Sequence, residues 1–237
     1  MKKSLYFLAL PALMMAGDQK TRDETTRRLD ESTTVLSEVL SAKEKSIPDD
    51  LLAKAHCIVI VPGMKKGAFL VGAEYGKGFM SCRDKGDRGW SAPGAVRLEG
   101  GSVGLQIGGS ETDVILLVMN DRGAEKLLSS KFTLGGEGEI AAGPVGRTAT
   151  AETDAKLTAE ILAWSRSRGI FAGVALKGAT LRPDLDDNEA LYGKRIGNRE
   201  IVTSGVTPPA AAHKLLAVLN QYSPHQENIT PSQDRTE

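Results

Sequence analysis

The sequence predicts a single α+β domain with a curved, antiparallel, barrel-like β-sheet and flanking helices. Short β-prone segments separated by Gly, Pro and Asp clusters fill the middle of the chain, which is typical of an antiparallel sheet. Amphipathic helical periodicity lies at both ends of that region. No repeat or linker divides the body, so we place one domain core at residues 47–204.

The first 17 residues have the pattern of a signal peptide. Lys2 and Lys3 precede an uncharged stretch, residues 5–16, that is too short to cross a bilayer of about 30 Å as a helix. Asp18 stands where a lipoprotein would carry its acceptor cysteine, so lipidation is not expected. We therefore expect cleavage near residue 16 or 17 and a periplasmic or secreted product, at most peripherally associated with the membrane.

Removal of the leader lowers the number of basic residues from 30 to 28, against 30 acidic ones, which gives a net charge of about −2. This balance excludes a general nucleic-acid binder.

The two cysteines, Cys57 and Cys82, both fall in predicted strands. Export would permit a disulfide, but a buried free cysteine is common in an apolar strand, and a chain of this size does not need a covalent staple. We therefore favour free thiols. The bridged state is the alternative, and it requires Cα atoms within about 7 Å of each other.

An amphipathic helix is predicted within residues 18–46. Its polar face is mixed in sign, which favours packing on the domain core over lying on a membrane. A short second helix follows Pro48, and a C-terminal helix opened by Pro208 and Pro209 is expected within 205–222. Residues 223–237 are polar and are predicted to be disordered. The apolar stripe of the first helix consists of Leu29, Thr33, Val35, Leu36, Val39 and Leu40.

The region between these helices is predicted to be mostly strands. A helix capped by Asp121 and a second helix from Asp154 to Ser167, with Ile161 and Trp164 on one side, interrupt them. The predicted strands are 56–61, 67–73, 78–83, 95–98, 103–107, 113–119, 131–134, 138–142, 147–151 and 170–176.

Several short motifs punctuate the core, with glycine at nearly every break. Glycine supplies turns and close backbone approach but no reactive group, so the pattern indicates architecture rather than catalysis. The motifs are Ile47-Pro48 with Leu51-Leu52, the apolar run 56–62, Tyr75-Gly76, Trp90-Ser91-Ala92-Pro93, 143–147 (Gly-Pro-Val-Gly-Arg) and Tyr192-Gly193.

These residues resemble the SYLF family over roughly residues 30–204. The resemblance implies lipid binding, because SYLF domains of eukaryotic endocytic proteins bind phosphoinositides and membranes, and some also bind actin. In an exported bacterial-type protein we expect neither actin nor phosphoinositides as partners, so anionic phospholipids are the expected ligand. The alternative is a non-catalytic structural or protein-interaction module of the periplasm.

The predicted lipid site is a cationic rim beside an aromatic side chain. If the loops that carry it lie at one end of the sheet, lysines and arginines bind lipid phosphates while Trp90, Phe69 or Phe79 meets the acyl chains. Solvated loop charge is the alternative, because Asp84 and Asp87 interleave with the basic residues. The predicted lipid-binding residues are Lys65, Lys66, Arg83, Lys85, Arg88, Trp90 and Arg147.

The sequence patterns that would indicate a catalytic or metal site are incomplete, and no cofactor is expected. The run Gly100-Gly101-Ser102-Val103-Gly104 matches G-x-S-x-G, but no helix signal follows it, so a hydrolase that uses Ser102 ranks third. Residues 184–189 begin like a calcium loop but lack its glycine and final acid, and we interpret them as the acidic first turn of a helix. Residues 72–77 fall short of a phosphate loop.

Overall fold

The computed structural model describes residues 9–42, 47–69, 71–83, 89–103, 108–144, 159–167, 170–173 and 176–223. A long helix, α1 (Ala9–Ser41), is the first described element. The apolar residues of its predicted stripe are buried against the sheet, and Thr33 is half-buried. The short helix α2 (Asp49–Lys54) follows Pro48, and Leu51 and Leu52 are its buried residues. Among the described residues, no helix combines the length and the apolarity that a transmembrane span requires.

In the part of the chain that the structure describes, nine strands form one sheet in the order β5-β9-β3-β2-β1-β4-β7-β6, and β8 pairs with β7 beside this path. Most neighbours are antiparallel, as predicted, but β6 and β7 are parallel. The strands are β1 (Cys57–Phe69), β2 (Val71–Cys82), β3 (Gly94–Val103), β4 (Gly108–Val118), β5 (Phe132–Thr133), β6 (Ile140–Ala142), β7 (Ile161–Ser167), β8 (Ile170–Gly173) and β9 (Thr180–Pro183).

The sheet curls into a half-barrel, and a short connection closes the gap between its two end strands. The end strands β5 and β6 are consecutive in the chain and are separated only by residues 134–139. Leu134 forms a bridge with Gly138 in this connection, and the Gly135 N–H donates to the Gly138 carbonyl at 2.8 Å. The predicted α+β class with a curved, barrel-like sheet is therefore confirmed.

The first four strands are longer than predicted, because glycines interpreted as turns lie inside them. Gly63 occupies a bulge in β1 with φ 55°, a backbone conformation that favours glycine. Gly78 lies within β2, where an added Cβ would be 2.0 Å from the Ile60 carbonyl oxygen of β1. These glycines permit a bulge and a close approach of two strands, so they do not end either strand.

The side chains of the central strands point alternately into two separate hydrophobic cores, one on each face of the sheet. Val59 and Val61 of β1 face the concave side, together with residues from both ends of the curled sheet. Ile58 and Ile60 face the opposite, outer side and pack against α1, α2 and the C-terminal helix. Both faces of β1 are therefore covered, which explains its continuous apolar run.

The helix predicted from Asp154 to Ser167 is wrong where the structure describes it, because residues 161–167 form strand β7. Trp164 is opposite Ile115 of β4, and Ile161 is opposite Ile140 of β6. Leu162 and Trp164 join the outer core, whereas Ile161 and Ala163 join the concave core. Residues 154–158 and the strand predicted at 147–151 lie outside the described residues.

The described residues contain four further helices: α3 (Asp121–Leu127), α4 (Leu185–Tyr192), α5 (Asn198–Thr203) and α6 (His213–Tyr222), the last preceded by a 3-10 turn (Ala210–Ala212). The side chain of Asn120, not that of Asp121, caps α3 by accepting from the Gly123 N–H. The predicted disordered tail begins at Ser223, but this prediction is wrong for Ser223 itself, which is fully buried. The rest of that tail lies outside the described residues.

The two cysteines are bridged, so the expectation of free thiols was wrong. Cys57 and Cys82 are directly opposite each other at the end of the β1–β2 ladder, with their Cα atoms 3.9 Å apart. The sequence separation of 25 residues gave no indication of this register. Register depends on the whole hairpin, including its bulge.

Candidate functional site

The predicted cationic residues Lys65 and Lys66 lie on β1 near the closed end of the β1–β2 hairpin. Lys65 is exposed and is opposite Tyr75 of β2. Lys66 points to the other side of the sheet and forms an ion pair with Glu74 at 3.0 Å. Of this pair, only Lys65 presents an uncommitted charge among the described residues.

Arg83 and Trp90 lie at the opposite, open end of that hairpin. The guanidinium of Arg83 stacks on the Trp90 ring at 4.3 Å from its centroid and donates to the carbonyls of Ser223 and Ala53 at 3.0 and 3.3 Å. Trp90 itself is buried. These two side chains hold the ends of α6 and α2, a structural task.

The single rim expected from the sequence is not formed by its described members. Eight positions of an extended strand separate Cys57, near Arg83, from Lys65, a span of about 26 Å. A rim requires that the loops with Lys65 and with Arg83 lie at the same end of the sheet. Instead, these residues lie towards the two ends of one long hairpin. Lys85, Arg88 and Arg147 lie outside the described residues, as does the side chain of Phe69, and Phe79 is buried in the outer core.

The outer face of the sheet instead carries three cations in one row. Lys77 of β2 is opposite Arg97 of β3, and Arg97 is opposite Arg182 of β9. All three project away from the concave core, because their neighbours Val96, Leu98 and Leu181 point into it. Like charges directly opposite each other destabilise a sheet unless anions compensate them.

Lys77 is fully compensated by two buried carboxylates. Its Nζ lies 2.8 Å from Asp184 and 3.1 Å from Asp187, and Arg28 of α1 also contacts Asp187. Burial lowers the pKa of Lys77, but the hydrogen bonds and charges of Asp184 and Asp187 outweigh burial and raise the pKa above its ordinary value. This cluster fixes α1 and the start of α4 on the sheet.

Arg97 and Arg182 share one carboxylate, that of Glu99. Their Nε atoms are 3.0 and 3.5 Å from its two oxygens. Neither Nε is aligned to donate a hydrogen bond, although both atoms are shielded from solvent. Two outward-facing guanidinium groups therefore share a single carboxylate, and one positive charge is left uncompensated.

The next row of the same face adds Tyr75 between Lys65 and Glu99. Tyr75 is 47% exposed, and no other large hydrophobic side chain in the described part of the chain is exposed. We call Lys65, Tyr75, Arg97, Glu99 and Arg182 the outer charged face. Together with Glu111, which is opposite Lys65, it carries three cations and two carboxylates, a net charge of +1.

Sequence reasoning missed Arg97, Arg182 and Tyr75 as members of one surface. The available signal was the alternation of apolar and charged residues in β3, where Val96 and Leu98 are buried and Arg97 and Glu99 are not. The pairing of β3 with the distant β9 could not be inferred from that alternation.

Ser102 does not lie on a strand-to-helix turn. It is in β3, opposite Gly72 of β2, and the strand continues to Val103. A nucleophile elbow requires a sharp turn that lifts the serine above the sheet. His56 is at the other end of β1, where its Nδ1 is 3.0 Å from Asp121.

The acidic run that begins like a calcium loop is the start of α4, as predicted. The Asp184 side chain accepts from the Asp187 N–H and caps the helix. Within the described ranges, no three acidic, histidine or cysteine side chains form a metal-binding group. The phosphate-loop-like residues 72–77 lie in the middle of β2.

Several family motif residues form packing contacts and hydrogen bonds. The Tyr192 hydroxyl donates to the Pro93 carbonyl at 2.7 Å, and burial raises the pKa of that phenol well above its ordinary value. The Trp164 indole donates to the Pro144 carbonyl at 2.9 Å, and Gly143 leaves the space that the Trp164 ring fills. These motifs build the scaffold that positions the outer charged face.

The profile of the Ysc84 family, described as Las17-binding protein actin regulator, matches residues 99–222, more than half of the chain. The chain belongs to this family. The SYLF resemblance is thereby confirmed. The family's description as an actin regulator is at odds with our expectation that actin is not a partner.

Curated relatives of this Ysc84 family chain come from yeasts and animals. An SH3 domain-containing protein of Schizosaccharomyces pombe is 38% identical over 77% of this chain and 43% of its own length. The human SH3 domain-containing YSC84-like protein 1 is 33% identical over 78% of this chain and 54% of its own. For LAS seventeen-binding protein 3 of Saccharomyces cerevisiae the values are 34%, 74% and 39%.

The chain thus spans about half the length of the curated relatives it matches. The names of these relatives describe SH3-containing and binding proteins, and none of them is the name of an enzyme.

Proposed function

We propose that this chain is a non-catalytic binding module that recognises anionic phospholipid headgroups at a membrane surface through the outer charged face. The observation that carries this proposal is the directly opposed pair Arg97 and Arg182, which share the single carboxylate of Glu99. A guanidinium group binds phosphate with two parallel hydrogen bonds, more specifically than an ammonium group does. A headgroup phosphate supplies the missing negative charge between the two arginines.

Tyr75 and Lys65 support the same proposal. Tyrosine is favoured at the boundary between headgroups and acyl chains, and Tyr75 is the exposed aromatic beside the two arginines. Lys65 adds an exposed ammonium one row away.

Vesicle flotation with neutral and anionic vesicles tests this proposal. We expect binding to anionic vesicles only, weakening as the salt concentration rises beyond about 0.15 M, where charges are screened within about 8 Å. Arg97→Gln and Arg182→Gln should each reduce binding severalfold. Arg199→Gln is the matched control, because Arg199 is an exposed arginine paired with Glu125 away from this face. Equal binding by all three variants would reject the outer charged face as the lipid site.

A second candidate is a protein-interaction module that takes part in actin regulation. The family description and the name of the LAS seventeen-binding relative favour it. Co-sedimentation with actin filaments, in the absence of lipid, measures it directly. Pelleting with filaments that Arg97→Gln does not reduce, together with no flotation, would favour this candidate over the first.

We also propose that the chain folds and acts in an oxidising compartment, periplasmic or extracellular. The Cys57–Cys82 bridge supports this, because disulfides persist in such compartments and are rare in a reducing cytosol. Acid quenching of whole cells, followed by alkylation in denaturant without reductant and intact mass measurement, should show no modified thiols. Two alkylated cysteines would contradict the proposed compartment.

A further inference from the structure

The Cys57–Cys82 disulfide closes the terminal rung of the β1–β2 ladder, directly beside a clamp that holds two helices. Both cysteines are buried. Arg83 follows Cys82, and its N–H donates to the His56 carbonyl at 2.8 Å, which continues the ladder by one step. Arg83 also forms an isolated bridge with Trp90. The position of the Arg83 backbone therefore depends on that last rung.

The Arg83 clamp consists of Arg83, Trp90, Ala53 and Ser223. One guanidinium binds the end of α2 through Ala53 and the end of α6 through Ser223, as described above. The Trp90 indole donates to the same Ser223 carbonyl at 3.3 Å, and the Ser223 hydroxyl donates to the Leu52 carbonyl at 3.1 Å. Arg83, which makes the guanidinium contacts of this clamp, is adjacent to Cys82 in the chain.

Ladder ends open more readily than ladder centres, because fewer neighbours hold them. A covalent bond across the terminal rung suppresses this opening and keeps Arg83 in register. We propose that the disulfide is a redox latch whose reduction loosens the Arg83 clamp and releases α6 from the outer core. In this step a dithiol reductant gives two electrons and two protons to the S–S bond, which becomes two thiols, while the reductant becomes its own disulfide.

Release of α6 would change the surface of the molecule. Its buried face, formed by Leu215, Leu216 and Leu219, packs on the outer core with Ile58 and Phe79. The latch thus separates an oxidised state with a covered outer core from a reduced state with an uncovered one, independently of the outer charged face.

Hydrogen exchange of the full chain, read by mass spectrometry with and without dithiothreitol, tests the latch. We expect reduction to accelerate exchange at residues 213–223 about tenfold or more, while strand β9 (Thr180–Pro183), which β3 separates from β2, is unchanged. Cys57→Ala with Cys82→Ala should reproduce this effect without reductant. Arg83→Met, which keeps the disulfide, should accelerate the same segment, and reduction of that variant should add little, because both changes act through one contact.

Two results would overturn the latch. Uniform acceleration of all elements on reduction would show that the disulfide is a general staple without a selective effect on α6. Acceleration by Arg83→Met but not by the double cysteine variant or by reduction would show that the clamp holds α6 without help from the disulfide. If the double variant does not fold, reduction of the unmodified protein decides between these outcomes.

Discussion

At the scale of single residues, two carboxylates decide the role of Lys77. Asp184 and Asp187 are almost fully buried, and Lys77 is the ammonium that contacts both. Lys77→Met should destabilise the fold by about 3–5 kcal/mol, because it leaves buried charge without its partner. Lys194→Met, which removes a 63% exposed lysine 3.9 Å from Glu200, should cost under about 0.5 kcal/mol. Urea denaturation measures both, and similar midpoints would contradict a structural role for Lys77.

Because its pKa is raised, Lys77 makes the stability of the folded protein fall with rising pH in the alkaline range. A cation with a raised pKa in the folded state contributes its full stabilisation below its ordinary pKa of about 10.4, and this contribution is lost as the pH rises through the folded value. The unmodified protein should therefore lose more stability than Lys77→Met as the pH rises above the ordinary lysine pKa of about 10.4. Tyr192 lowers alkaline stability in both proteins, so their difference isolates Lys77. Parallel pH profiles would contradict this assignment.

At the scale of elements, strand β7 depends on a glycine in the segment after β6. An added Cβ at Gly143 would be 2.0 Å from the Trp164 ring, and Trp164 is fully buried between strand and helix. Gly143→Ala should therefore destabilise the protein by about 1–3 kcal/mol, because the ring must move in a packed core. Gly136→Ala is the matched control, since its Cβ would make only ordinary contact with Thr133. Tryptophan fluorescence during denaturation reports both. A Gly143→Ala midpoint equal to that of the control would indicate that β7 does not rely on this packing.

At the scale of the whole molecule, closure of the curled sheet depends on a buried carboxylate beside the β5–β6 connection. Both carboxylate oxygens of Glu160 accept hydrogen bonds from the Lys126 ammonium, at 2.9 and 2.7 Å. Glu160 also contacts Arg122. Gly138, in the β5–β6 turn, lies directly against Glu160, because an added Cβ would be 2.7 Å from its Oε2.

Lys126→Met should destabilise the closure by about 1.5–3 kcal/mol, the typical value of a hydrogen bond to a charged group. Arg122→Met removes a 79% exposed cation from the same carboxylate and should change stability by under about 0.5 kcal/mol. Thermal unfolding compares the two variants. An equal loss in both would mean that burial of the ion pair is not what stabilises the closure.

The sequence predicted those features that depend on local periodicity. The buried stripe of α1, the short helix after Pro48 and the acidic start of α4 follow from spacing within a few residues. The covered strand β1 was predicted from its apolar run, and its length was underestimated because a bulge glycine resembles a turn glycine in sequence. For the candidate site, Lys65 was predicted as one of the binding residues, and its neighbours on the outer charged face were not.

By itself, the sequence determined the fold class and family of this protein, because hydrophobic periodicity and the positions of the glycines can be read from residues close together in the chain. Only the tertiary structure decided which distant residues meet. It paired Cys57 with Cys82, made residues 161–167 a strand, separated Lys65 from Arg83, and brought Arg97 and Arg182 together. These outcomes depend on strand register and on closure of the sheet, which are set by contacts between segments far apart in the chain.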